Sequence, residues 1–251
     1  MTSSAPPPVP LSGERKFAST RWSIVVAAGA PDAPDRHAAL ATLCQTYWYP
    51  VYAFIRRRGA SAADAQDLTQ EFFAVLLEKD YVRLADRERG RFRTFLLTAV
   101  TRFLTKQRER DNAAKRGGGR TMLSLDLAHS EERYRLEPVE HWTPERLFER
   151  RWALTLLDRV VAQLGERYAK QGKQELFERI KGVLTGALSA DENAELASQL
   201  GLSEGTLKVA VHRLRRRYRD LLKQEIAETV ADPGETADEL DYLLAAVRGG
   251  T

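Results

Sequence analysis

The chain has 251 residues, 29% of them charged, with a net charge of +4. That length allows one large core or two small ones, and the lone Cys44 excludes a disulfide framework and a thiolate metal site. The charge is uneven: residues 83–120 hold twelve Lys/Arg against four Asp/Glu, residues 204–223 seven against two, and residues 224–251 one Arg against seven acids, the footprint of a nucleic-acid binder with a self-contacting acidic end.

Residues 1–16 are rich in Pro and Ser and are expected to be disordered. They lack the apolar core of a leader, and no later apolar run reaches bilayer length, so a cytoplasmic location without a membrane partner is expected. Nearly every periodic stretch has helical spacing, which predicts an all-α fold. A first short helix is expected within Phe17–Gly29, starting at Ser19 or Thr20. Arg36–Arg58 follows as a long amphipathic helix with Leu40, Leu43, Tyr47, Val51, Phe54 and Ile55 inward and a bend at Pro50.

Ser61 and Asp64 have capping-box spacing and open a helix over Ala62–Lys79. Ala65, Leu68, Phe72 and Val75 or Leu76 form its core stripe. Asp64, Asp67, Glu71 and Glu78 form an acidic stripe, and beside it run Gln66, Thr69, Gln70, Phe73 and Leu77. Acids flanked by outward apolar groups suit a protein-docking face. Residues 84–93 read as an arginine-rich loop. The next helix, Phe92–Arg110, turns Phe95, Leu96, Ala99, Phe103 and Leu104 inward and Arg102, Lys106, Arg108 and Arg110 outward.

Residues 121–143 read as a semi-extended linker. Thr143-Pro144 is a cap followed by proline at the first helical position, opening a helix to about Leu164; another covers Tyr168–Leu184, broken near Gly172. Ser189–Arg219 then holds two helices joined by a tight turn. Ser189 and Glu192 form a capping box, Gly201 ends the first helix, and Ser203 caps the second. Leu207, Val211, Leu214 and Tyr218 face inward; Gly205, Lys208, Val209, His212 and Arg216 face outward. This is a helix-turn-helix whose second helix suits a DNA major groove. A terminal helix after Asp232 pairs an apolar face (Leu240, Leu243, Leu244, Val247) with an acidic one.

Catalytic chemistry is not legible. The four histidines (His37, His129, His141, His212) lack metal-ligand spacing, and Gly117–Gly119 lacks the Lys-Ser/Thr of a phosphate-cradling loop. No enzyme activity, metal or cofactor is expected.

The segments TYWYP, DAQDLTQEFF and GTLKVAVHRLRRR, in this order, resemble the extracytoplasmic-function sigma factors, two-domain promoter-specificity subunits of bacterial RNA polymerase. The resemblance implies a region 2-like helical domain over 17–120, the linker at 121–143, a region 4-like helix-turn-helix domain over 144–226, and an acidic helical extension over 227–251. It assigns Asp64, Asp67, Gln70, Glu71, Phe73 and Leu77 to docking on the largest-subunit clamp of core RNA polymerase. Arg87, Arg89, Arg91, Phe92, Arg93, Phe95, Arg102, Lys106 and Arg110 correspond to the part that melts the −10 element of promoter DNA. Aromatic and basic side chains suit that task, since splayed bases stack and phosphates need cations. Ser203, Gly205, Thr206, Lys208, Val209, His212, Arg213 and Arg216 correspond to the −35 recognition helix, with Arg215, Arg217 and Arg219 on phosphates.

Neutral Gln66 stands where the family commonly has an acid. That departure raises the expectation that phosphorylation of Thr69 by a Ser/Thr kinase supplies the missing charge, with an anti-sigma factor as the other candidate regulator. The acidic terminal helix is expected to mask a basic DNA face. The alternative reading is a stand-alone helix-turn-helix regulator with an N-terminal sensor or dimerisation module.

Overall fold

The computed structural model describes residues 21–113, 128–135, 142–186 and 189–248. The fold is all-α, with no strand among the described residues. The helices are α1 (Trp22–Gly29), α2 (Arg36–Arg57), α3 (Ala62–Glu78), α4 (Phe92–Ala113), α5 (Ala128–Arg135), α6 (Pro144–Lys170), α7 (Gln174–Ile180), α8 (Ala190–Gln199), α9 (Glu204–Ala227) and α10 (Thr236–Arg248). The disordered start expected for residues 1–16 and most of the expected linker lie outside the described residues.

Helix α2 is the centre of the molecule. The amphipathic reading of it needs correction: Tyr47 through Ile55 are nine consecutive buried residues. A helix apolar on all sides is one enclosed by others, and α1, α3 and α6 pack around it. Pro50 lies inside this run without ending the helix. Thr46, whose carbonyl loses its usual donor to the proline, uses its own hydroxyl to donate to the Thr42 carbonyl at 2.8 Å.

Aromatic contacts join α2 to α6. Tyr47 and Phe54 both lie against Phe148, with ring centroids 6.3 and 6.4 Å apart, and Phe148 has no exposed surface. Helix α6 therefore packs the helix-turn-helix half directly on the N-terminal half. The linker reading is corrected at α5, which is helical and clipped to α2: Glu131 accepts from the Tyr52 hydroxyl at 2.6 Å and from Arg56 Nε at 3.0 Å.

Boundaries differ where caps decide them. Helix α1 begins at Trp22, whose amide donates to the Glu228 carbonyl at 3.0 Å. The expected break near Gly172 is real, with a left-handed φ of 67° there, but α6 runs on to Lys170 before it. Residues 84–93 are tighter than a loop: two short 3-10 turns, Tyr81–Leu84 and Arg87–Arg89, precede α4.

Candidate nucleic-acid interface

The α8–α9 pair is fixed by local chemistry. Ser189 and Glu192 exchange both bonds of a capping box, and the Ser189 amide, donating at 2.7 Å, holds the Glu192 carboxyl below its usual range. Helix α8 closes in a Schellman arrangement: the Leu202 amide donates to Ala197 at 2.9 Å and the Gly201 amide to Ser198 at 3.1 Å. Gly201 has φ +63°, which only glycine adopts without strain. The Ser203 hydroxyl then accepts from the Thr206 amide at 3.2 Å and starts α9.

Leu207 and Leu214 are fully buried, which turns the opposite side of α9 outward. Ser203, Gly205, Thr206, Lys208, Val209, His212, Arg213 and Arg216 are all exposed, as one continuous basic face. Val209, at 49%, is among the most exposed large apolar residues described. Of the arginines expected on phosphates, Arg215 is otherwise engaged: its Nη2 donates to the Val183 and Gly186 carbonyls at 3.1 and 3.2 Å, anchoring α9 to the preceding turn.

Helix α3 presents a mixed picture. Asp64 and Asp67 are exposed, whereas Gln70, Glu71 and Leu77 are half-buried. Glu71 accepts from Gln107 of α4 at 2.6 Å. Two assignments are corrected. Phe73 is not an outward group: it is 4% exposed and stacks on Trp48 with centroids 5.8 Å apart. Thr69 is fully buried, and its hydroxyl donates to the Ala65 carbonyl at 2.6 Å. A kinase has no access to it, and the phosphorylation reading ends there.

Between α3 and α4 lies a groove of about 320 Å³, in which Tyr81, Phe95 and Phe103 form apolar wall and Arg102, Lys106 and Arg110 bring positive charge. Four of these six were assigned from sequence. Tyr81 has no signal in the sequence, because the turn that carries it has no periodicity, and the periodicity of α4 marks Phe103 only as inward.

The Arg87–Arg93 segment departs most from expectation. Arg89 is exposed, but Phe92 is buried against Tyr47 at 5.5 Å, and Arg93 is 2% exposed. Arg93 donates to Glu149 of α6 at 2.7 Å and in bidentate fashion to Glu239 of α10. Burial opposes its charge, but the two carboxylates outweigh burial and leave its pKa raised. Arg91 reaches the same Glu239 at 2.7 Å, and Arg87 donates to the Val230 carbonyl at 2.9 Å. As arranged here, Phe92 and Arg93 are core groups and not a DNA surface.

Fold and geometry thus define an all-helical protein with an exposed basic recognition helix, an acid-bearing α3 and a basic aromatic groove beside it. Residues 43–113, which cover most of α2 with α3 and α4, match the family model Sigma-70 region 2. No curated protein and no solved structure matches the chain. No helix among the described residues is long and apolar enough to cross a membrane.

Proposed function

We propose that the chain is a non-enzymatic, cytoplasmic promoter-specificity subunit of RNA polymerase of the extracytoplasmic-function type, with a C-terminal extension. One observation carries this reading: a Sigma-70 region 2 segment at 43–113 stands in the same chain as a capped helix-turn-helix whose basic face is exposed. Asp64 and Asp67 dock core polymerase, with Gln70, Glu71 and Leu77 at the edge of that contact. The α3–α4 groove takes unpaired −10 DNA, bases against Tyr81, Phe95 and Phe103 and phosphates against Arg102, Lys106 and Arg110. On α9, Lys208, His212 and Arg213 meet base edges of the −35 element, Val209 suits a thymine methyl, and Arg216 holds phosphate.

The test is reconstitution with core RNA polymerase on promoter DNA from the same genome. Wild type is expected to start transcription at defined sites. Asp64→Ala/Asp67→Ala is expected to lose polymerase binding while keeping duplex binding. Duplex binding that alters transcription only when another initiation subunit is present would instead make the chain a stand-alone regulator.

A further inference from the structure

The acidic terminal helix is expected to mask a basic DNA face, and the recognition helix α9 carries one such face. The contacts lie elsewhere. The α9 face is exposed, and the segment from Val230 through α10 instead engages Arg87, Arg91 and Arg93, three of the cations assigned to −10 DNA. Glu239 has no exposed surface and carries two of those contacts; Tyr242 lies under both guanidinium groups, at 5.6 Å from Arg91 and 5.2 Å from Arg93. A carboxylate and an aromatic face are the two kinds of partner that a guanidinium otherwise finds in a phosphate and a base.

We infer that α10 is an internal latch that occupies the Arg87–Arg93 segment in place of nucleic acid, so that binding of unpaired DNA there requires Glu239 and Tyr242 to withdraw. The inference rests on the sigma-factor reading, since it is the family resemblance that gives Arg87, Arg91 and Arg93 a −10 role. It ties DNA binding to the opening of the molecule, because Arg93 also holds Glu149 of α6. The DNA and α10 then compete for the same guanidinium groups, and each weakens the other by the same factor.

The experiment uses the full chain and a fluorescein-labelled single-stranded oligodeoxynucleotide, with Glu239→Gln, Tyr242→Ala and Asp241→Asn variants. Asp241 is exposed on the same helix, so its variant matches the charge change of Glu239→Gln away from the latch. Glu239→Gln and Tyr242→Ala are expected to bind roughly tenfold tighter than wild type, a usual size for coupling between two sites, and Asp241→Asn within about twofold. Saturating wild type with the oligonucleotide is expected to speed amide exchange across 236–248.

Equal tightening by Glu239→Gln and Asp241→Asn would reduce the effect to general charge and overturn the latch. So would DNA binding that leaves α10 exchange unchanged, while the nucleic-acid reading would stand. No binding by wild type or any variant would fail the nucleic-acid reading itself. If Glu239→Gln loses its helical circular dichroism, Tyr242→Ala and the wild-type exchange decide the matter.

Discussion

Arg159 shows how far a single side chain can depart from its composition class. It lies on α6 at 5% exposure, and none of its three guanidinium nitrogens has a hydrogen-bond partner among the described residues. Burial pushes its pKa down to about 10, against the pull of the Glu225 carboxylate. A buried ion of this kind opposes folding more than it helps. Arg159→Met is therefore expected to raise stability by about 1–2 kcal/mol, read from the denaturant midpoint at unchanged slope. A loss of similar size would mean that the guanidinium stabilises the fold through Glu225. Thr69 and Phe73 make the complementary point. Both sit one position from the α3 stripe expected to be buried, and a helix wedged between α2 and α4 buries more than one stripe.

At the scale of elements, the α5 clip is a contact that pH can open. Hydrogen bonds from Arg56 and Tyr52 outweigh burial and hold the Glu131 carboxyl below its ordinary value near 4.5. Because the folded pKa is depressed, the clip contributes its full stability above the ordinary value and loses it as pH falls through the folded one. Acidification below about pH 4.5 should release α5 from α2, visible as the loss of helical chemical shifts over 128–135. Glu131→Gln should weaken docking at neutral pH and remove that acid step; persistence of the step would assign it to another carboxylate.

Elements with strong local signals were legible in the sequence. The caps at Ser61, Ser189 and Ser203, the proline at Pro144 and the terminator at Gly201 all act within four residues of themselves. Helix α5 is not legible, since its partners Tyr52 and Arg56 lie 79 and 75 residues away, and the Tyr81–Leu84 turn is too short to carry a periodicity. The candidate site followed the same division. The α9 face could be read from its own periodicity, whereas the fate of Arg93 depended on Glu149 and Glu239, 56 and 146 residues away.

For the whole molecule, the α2–α6 contact decides how the halves behave. Phe148 has no exposed surface and faces Tyr47 and Phe54 of the other half. Phe148→Ala should cost about 3–5 kcal/mol, the usual range for a buried phenylalanine. The loss should appear in one shared unfolding transition followed by tryptophan fluorescence and by circular dichroism. Two separated transitions, with only one shifted, would show that the halves unfold independently.

The bond that starts α1 also sets a clock on biosynthesis. The Trp22 amide finds its acceptor at Glu228, and Arg21 pairs at 2.8 Å with Glu225, 204 residues further on. At about 5–20 residues per second on the ribosome, α1 waits roughly 10–40 s for these partners to be made. Through that interval Trp22 and Val25 are shielded from within the N-terminal half, by α2, the Tyr81–Leu84 turn and Phe92, whose ring centroid lies 6.4 Å from that of Trp22. The nascent chain thus carries an apolar N-terminal segment whose last hydrogen bonds form only as α9 clears the exit tunnel.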